Sequence, residues 1–192
     1  MTTENLKLKI VQDDDPGSPR DWDNLGRMLC WHNRYTLGDE QPKRDPQEIL
    51  AELPKGSVVL PLYLYDHGGI SMKAGEAGNP FSDMFDSGQI GFIYATPERI
   101  CKEYSCKRIS KAIREKVIAC LKGEVETYDM FLQGDVWGFV LETVSTCDKG
   151  HTHAEHIDSC FGFFGNDKDG IAEHLPEEAK PLLDEAWDHR GT

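Results

Sequence analysis

Two short runs of apolar residues, rich in β-branched and aromatic side chains, constrain the fold more than any other feature of this sequence. Residues 57–65 read SVVLPLYLY and residues 89–95 read QIGFIYA. Runs of this length and composition are typical of buried strands, since helices are usually longer. Pro61 lies inside the first run and has no N–H to donate, which predicts a bulge or an edge position there. The chain is therefore expected to build a sheet that buries both runs.

Other segments add strands and one long connection. The strands expected outside the two buried runs are 6–11, 136–145 and 155–164. The first alternates apolar and polar residues, and the last two are expected to form a hairpin. Residues 71–87 are rich in glycine and predict a long loop, and loops of that length in compact domains are more often functional than idle.

Helices are indicated by caps and by apolar periodicity. Asp45 and Thr96 each precede a proline, and a capping side chain before proline favours a helix start. The expected helical segments are 21–32 (a short helix or an irregular turn), 46–53, a helix from 97, 108–121 with a continuation to 133 beyond Gly123, and 181–189. Strand groups separated by helices predict an α+β fold, a mostly antiparallel sheet with helices packed on it. We expect a single domain over residues 1–192.

The charge of the chain is unevenly distributed. The net charge is −13, from 34 acidic and 21 basic residues. Residues 121–192, the acidic C-terminal third, hold 16 acids and 5 bases, a net charge of −11. This asymmetry predicts an acidic face that does not bind nucleic acid directly and that favours a basic partner. Ordinary solubility accounts for such a charge as well, and the sequence leaves both interpretations open.

The candidate partner-binding residues are carboxylates of this third. We expect them to be Asp135, Glu142, Asp158, Asp167, Asp169, Glu177, Glu178, Asp184, Glu185 and Asp188. Five further acids of the same third are Glu124, Glu126, Asp129, Asp148 and Glu173. Duplex DNA presents one charge per about 1.7 Å of its axis, and carboxylates on a rigid support can imitate such a row. The sequence does not say which of them share a face.

Cysteine and histidine residues gather near the expected hairpin. Cys147, His151, His153, His156 and Cys160 are of the types that bind zinc. Their spacing matches no standard zinc motif, because on a strand the first two histidines share a face and the third faces the other way unless a bulge intervenes. The chain has six cysteines but no CxxC, which favours free thiols. We therefore expect no metal and no cofactor.

A small hydrolytic enzyme is the second candidate function. Asp66 and His67 follow the first buried run, and Cys30 and His32 lie together earlier in the chain. Residues of these types form nucleophile–base sites when a fold brings them together. No nucleophile elbow, GxGxxG or Walker loop accompanies them, so no catalytic residue is assigned.

Basic residues form one side of the helix expected over 108–121. They are Lys107, Arg108, Lys111 and Arg114. Contact with phosphate groups and a solvated helix face are both compatible with this pattern. The sequence does not decide between these two roles of the basic face.

The chain shows no membrane or export signal. Its longest apolar run is far short of the roughly 20 residues that a membrane span needs. The first residues, MTTENLKLKI, lack the apolar region of a signal peptide. We expect a cytoplasmic protein.

Several stretches resemble a family of small proteins carried by bacteriophages and mobile elements. They are 13–39 with WDNLG and RYTLGD, 62–72 with YDHGG, 85–104 with DSGQIGFIY, 134–140 and 156–165. The resemblance covers most of the chain and implies a mobile-element origin, without implying an activity by itself. Where the family is expected to have a plain acidic turn, this chain has TCDKGHTHAEH, so we interpret the histidines as local variation.

Acidic accessory proteins of such elements include anti-CRISPR and anti-restriction inhibitors. By this analogy we expect a host-defence inhibitor of the anti-CRISPR type in the bacterial cytoplasm. It is expected to bind a CRISPR-Cas effector or a related nuclease stoichiometrically and to block its DNA site. The alternatives are the hydrolytic enzyme and a structural or interaction subunit of a mobile element, which predicts an exposed apolar patch instead.

Overall fold

A computed structural model describes residues 5–147 and 149–191 of the chain. It has α-helices and two antiparallel sheets, of three and four strands, so the predicted α+β class is confirmed. The residues fall into two compact units, which we call unit 1 (Met1–Gly17 with Gly134–Thr192) and unit 2 (Ser18–Gln133). The assignment of residues 1–192 to one domain stays a prediction.

The strands and helices are numbered in chain order. The strands are β1 (Asn5–Gln12), β2 (Arg27–Cys30), β3 (Val58–Asp66), β4 (Ile70–Ala74), β5 (Ser87–Ala95), β6 (Val136–Thr146) and β7 (Thr152–Phe164). The helices are α1 (Pro46–Glu52), α2 (Pro97–Glu103), α3 (Lys111–Gln133), α4 (Lys168–His174) and α5 (Leu183–Asp188). Single 3-10 turns occupy Pro19–Asp21 and Lys180–Leu182. No helix in the described ranges is long and apolar enough to cross a bilayer.

Unit 2 is built on the two apolar runs of the sequence. They form β3 and β5, which pair with each other in a sheet of order β2-β5-β3-β4. The register shifts between Leu62 and Tyr63, near Pro61, but the extra residue is Ile90 of β5, so the irregularity lies on the neighbouring strand and not within the run 57–65. α3 packs on this sheet through Val117, Leu121 and other buried residues of its inner side.

Three sequence-based expectations for unit 2 are wrong. Part of the segment 21–32, expected as a helix or turn, forms β2, because Met28 and its neighbours are buried against β5. The expected loop 71–87 is shorter, since its first residues belong to β4. α3 begins at Lys111, not at 108, and runs through Gly123 without a break. The roughly 1 kcal/mol that glycine costs in a helix is offset there by the buried residues on either side.

Unit 1 is a three-stranded sheet of order β1-β6-β7 with helices on one face. The expected β6–β7 hairpin and the strand at the start of the chain are confirmed. The sequence prediction missed α4, and the C-terminal helix expected from 181 divides into a 3-10 turn and α5. The proline at 181 is accommodated in that turn, where no N–H is required of it.

Candidate acidic docking surface

Most of the net charge of the chain belongs to unit 1. This unit contains 17 acidic and 6 basic residues, a net charge of −11, whereas unit 2 contains 17 acidic and 15 basic residues, a net charge of −2. The asymmetry expected for the C-terminal third therefore coincides with a structural unit. The nearly balanced charges of unit 2 leave it without a comparable excess.

The helical segment of unit 1 presents apolar residues to the sheet at every fourth position. Ile171, Leu175, Ala179, Leu183 and Trp187 are all buried in one cluster with residues of the three strands. Side chains at this spacing lie on one side of a helical segment. The acidic residues between them are exposed to solvent, and we call this exposed part of residues 167–188 the outer side of the helical layer.

Eight carboxylates of residues 167–188 are exposed: Asp167, Asp169, Glu173, Glu177, Glu178, Asp184, Glu185 and Asp188. Lysine side chains neutralise two of them, since Lys180 Nζ lies 2.5 Å from Glu177 and Lys168 Nζ lies 2.6 Å from Asp184. Asp167 caps α4 by accepting the N–H of Gly170 at 2.9 Å. The other five have no ion pair or side-chain hydrogen bond with any residue that the structure describes. We call these five the open acids: Asp169, Glu173, Glu178, Glu185 and Asp188.

The open acids repel one another. Asp169 and Glu173 are four residues apart on α4, and Glu185 and Asp188 are three residues apart on α5. Like charges at these spacings destabilise a helix by about 0.2–0.5 kcal/mol per pair. A cationic partner that covers this surface relieves that repulsion.

The remaining predicted binding residues do not lie on the outer side of the helical layer. Asp135 accepts a hydrogen bond from Trp137 Nε1 at 2.7 Å, and Asp158 is exposed on β7. Glu142 lies on the sheet face opposite to the helices, where Lys9 Nζ is 2.6 Å away. The hydrogen bond from Lys9 holds the pKa of Glu142 below its usual value. The ten predicted residues therefore do not share one face of unit 1, because Glu142 lies on the sheet face opposite to the helices.

Two acids of the C-terminal third are structural instead. Glu124 on α3 accepts the backbone N–H groups of Leu25 and Gly26 at 2.8 and 3.1 Å. Asp129, also on α3, accepts the N–H of Met72 at 2.7 Å. Both belong to unit 2, and these contacts leave neither of them available to a partner.

The cysteine and histidine cluster does not gather into a metal site. Among the described residues, no three His, Cys, Asp or Glu side chains lie close enough to hold a metal ion. His153 and His156 are exposed on β7, while Cys147 and His151 lie at the hairpin tip, where Cys147 N donates to His151 O at 3.0 Å. Asp148 lies outside the described residues.

Cys30 is unsuited to the role of a catalytic nucleophile. Its side chain is completely buried. Burial, together with the nearby charge of Asp39, raises the pKa of Cys30 to about 12. The sulfur is therefore a protonated thiol at neutral pH, whereas thiol chemistry requires the thiolate.

Asp66 and His32 are brought together, but without a nucleophile. The hydroxyl of Tyr35 donates to Asp66 Oδ1 at 3.3 Å, and its ring stacks on His32 with ring centres 5.0 Å apart. His67 Nδ1 lies 2.9 Å from Asp86 Oδ2 in a partly exposed pair. Within the described ranges, no hydrogen bond joins a serine, threonine or cysteine side chain to either histidine. The enzyme alternative therefore has a polar cluster but no activated nucleophile.

Comparisons of the chain with protein-family models, with curated proteins and with solved structures give no match. Function is therefore inferred from the charge, burial and contacts of the chain itself. Among these features the open acids stand out, since they are charged, exposed and without a partner in the described structure.

Proposed function

We propose that unit 1 is an acidic docking module that binds a positively charged, nucleic-acid-binding groove of a partner protein. The open acids are the observation that carries this proposal. They are five exposed carboxylates of residues 169–188 that have no cation beside them among the residues the structure describes, in a unit of net charge −11. Such a surface offers a basic groove the same kind of contact as a nucleic-acid backbone, a set of negative groups on a rigid support.

The charge density decides how closely this surface imitates DNA. An α-helix advances 1.5 Å per residue, so residues 169 and 173 are about 6 Å apart along the axis of α4. A single DNA strand presents one phosphate per about 3.4 Å. The helical layer is therefore less densely charged than DNA. We expect it to act by electrostatic steering and several weak contacts rather than by copying the backbone.

In its specific form, the proposal is a host-defence inhibitor of the anti-CRISPR type, carried by a bacteriophage or another mobile element. It binds a CRISPR-Cas effector or a related nuclease stoichiometrically in the bacterial cytoplasm and blocks the DNA site. The resemblance of the sequence to mobile-element proteins supports the origin. The acidic surface supports the class of target, because a nucleic-acid-processing groove is lined by lysine and arginine.

The experiment that tests the proposal is a pull-down of purified CRISPR-Cas effectors by the immobilised protein. We expect an effector to be retained at low salt and to be released by added duplex DNA and by high salt, because both compete for the same charges. Failure to retain any effector at low salt contradicts the anti-CRISPR function. Retention that DNA does not reduce contradicts the blocking of the DNA site.

An interaction subunit of a mobile element is the second candidate, and a specific observation favours it. Phe85 is 100% exposed and Met84 is 69% exposed in the loop between β4 and β5. Exposed aromatic side chains are frequent anchors of protein interfaces. Under this alternative, Phe85→Ser abolishes partner retention and high salt has little effect on it. The acidic docking module predicts instead that Phe85→Ser has little effect and that high salt abolishes retention.

A further inference from the structure

The end of α2 holds two cysteines in contact. Ser105 has a positive φ of 47°, Cys106 N donates to Cys101 O at 3.0 Å, and Ser105 N donates to Lys102 O at 3.4 Å. These features define a Schellman motif, in which the side chain three positions before the helix cap and the one two positions after it usually touch. Here both of those positions are cysteines, so the backbone motif itself forms a pair of thiols.

The two sulfur atoms are close enough to be joined by side-chain rotation. Cys101 Sγ and Cys106 Sγ are 3.6 Å apart, whereas a disulfide bond is about 2.05 Å long. Both thiols are free and partly exposed, in contrast to the buried Cys30. The main chain between them is already held in a tight turn by its two hydrogen bonds.

Cations line a groove beside Cys101, one member of this pair. Cys101 lines a groove of about 400 Å³ whose charged lining residues are all basic: Lys55, Lys107, Arg108, Lys111 and Arg114. Apart from a weak contact of Lys111 with Glu115 at 3.9 Å, the structure gives them no ion pair within its described ranges. The first turn of α3 also contains no acidic residue that could offset these cations. Cations at the start of a helix are unfavourable, because that end of the helix dipole is positive. The positive charge of this groove attracts anions.

We propose that Cys101 and Cys106 form a reversible dithiol–disulfide site that reacts with anionic low-molecular-weight disulfides, of which oxidised glutathione is the type. The thiolate of Cys101 attacks one sulfur of oxidised glutathione, and the first glutathione leaves as a thiolate. The deprotonated sulfur of Cys106 then attacks the sulfur of Cys101, and the second glutathione leaves as a thiolate. Two protein thiols are oxidised to one disulfide, and their two protons end on the two reduced glutathione molecules.

The order of the two steps follows from the position of the groove. Cys101 is the cysteine that lines the basic groove, so an anionic disulfide held there meets Cys101 first. Cys106, whose sulfur lies 3.6 Å from that of Cys101, is assigned to the second, resolving step. The site is independent of the acidic docking module, since it lies entirely in unit 2.

The test treats the full chain with oxidised glutathione, blocks residual thiols and maps the products by mass spectrometry. We expect a disulfide between Cys101 and Cys106, while Cys30 stays a free thiol until the chain is unfolded. In Cys106→Ser we expect glutathione to remain attached at Cys101, because the resolving thiol is missing. Scattered mixed disulfides in the wild-type chain, or no bond between this pair, overturn the proposal.

The role of the groove is tested by reversing charge. Lys107→Glu with Arg108→Glu is expected to slow the reaction with anionic oxidised glutathione by about tenfold or more at low salt. The reaction with uncharged hydroxyethyl disulfide is expected to change by less than about twofold, since it is not steered by charge. A matched control reverses Lys43 and Lys116, which do not line the groove, and is expected to leave both rates unchanged. If the charge reversal slows the reactions with both disulfides equally, the proposed role of the groove is wrong.

Discussion

Replacing Arg20 with alanine is expected to lower the free energy of unfolding by about 3–5 kcal/mol, the range for removing one partner of a buried ion pair. The Arg20 side chain is only 4% exposed. Its Nε and Nη2 donate to Asp39 at 2.7 and 2.9 Å, and its Nη1 donates to Glu124 at 3.0 Å. Without the guanidinium group, two poorly solvated carboxylates face each other with no cation between them.

The effect extends to the main chain of unit 2. The same carboxylates accept backbone N–H groups: Asp39 from Met28 at 2.7 Å, and Glu124 from Leu25 at 2.8 Å. The bond to Glu124 attaches the segment before β2 to α3. The bond to Asp39 attaches the start of β2 to the loop that contains Asp39. Repulsion between the carboxylates therefore weakens the attachment of β2 as well.

The measurement is urea denaturation followed by tryptophan fluorescence. Arg27→Ala is the matched control, because Arg27 pairs with Glu40 at the surface with its side chain 52% exposed. Its loss is expected to cost less than about 1 kcal/mol. Equal effects of the two substitutions contradict the structural role assigned to Arg20.

Gly91→Ala is expected to lower the free energy of unfolding by about 3 kcal/mol or more, at the upper end of the range for overpacking. Gly91 lies in β5 between β2 and β3. A Cβ at this position lies 2.0 Å from the carbonyl oxygen of Leu29 and 3.0 Å from Cys30 Cα. Both are backbone atoms, so β2 and β5 have to separate to make room.

Gly88 supplies the control for this prediction. It lies in the same strand, but a Cβ there meets no atom within 4 Å. Gly88→Ala is expected to change the free energy of unfolding by less than about 0.5 kcal/mol, as surface substitutions usually do. The midpoints of urea denaturation of the two variants distinguish the cases. A Gly91→Ala protein as stable as Gly88→Ala contradicts the close approach of β2 and β5.

Elements with a strong local signal could be predicted from the sequence. β3 and β5 contain the two nearly continuous apolar runs, and every second residue at the start of β3 is buried. α1 and α2 start at a capping residue followed by proline, and Asp45 caps α1 by accepting the N–H of Gln47 at 2.7 Å. In these cases propensity, pattern and cap indicate the same structure.

Elements that depend on a distant partner could not be predicted. β2 has four residues and β4 has five, too few to show a period. Each is a strand because a longer neighbour in the sheet pairs with it, β5 for β2 and β3 for β4. α4 was missed for a different reason. The sequence does contain a signal, which is an apolar residue at every fourth position (171, 175, 179, 183 and 187), but the sequence prediction did not use it.

The candidate site likewise combines features that could be predicted from the sequence with features that could not. The acidity of unit 1 could be predicted from composition alone. The difference between Glu124, held by backbone N–H groups, and Asp169, exposed without a partner, could not. Both are acids beside periodic apolar residues, and only the position of the loop before β2 against α3 distinguishes them.

The acidic docking module is tested most directly by two variants with the same change of net charge. The first neutralises the open acids: Asp169→Asn, Glu173→Gln, Glu178→Gln, Glu185→Gln and Asp188→Asn. The second neutralises five exposed acids of unit 2: Asp21→Asn, Glu98→Gln, Glu103→Gln, Glu115→Gln and Glu126→Gln. Because the two variants have equal net charge, any difference between them reports the position of the charges.

The measurement is the affinity of each variant for the effector retained in the pull-down, by displacement of fluorescent duplex DNA at low salt. Exposed ion pairs contribute about 0.2–1 kcal/mol each, so five of them amount to about 1–5 kcal/mol. The account predicts that the first variant binds about fivefold to five-thousandfold more weakly, and that the second stays within about threefold of the wild type. Equal losses in both variants, or an unchanged affinity in the first, contradict it.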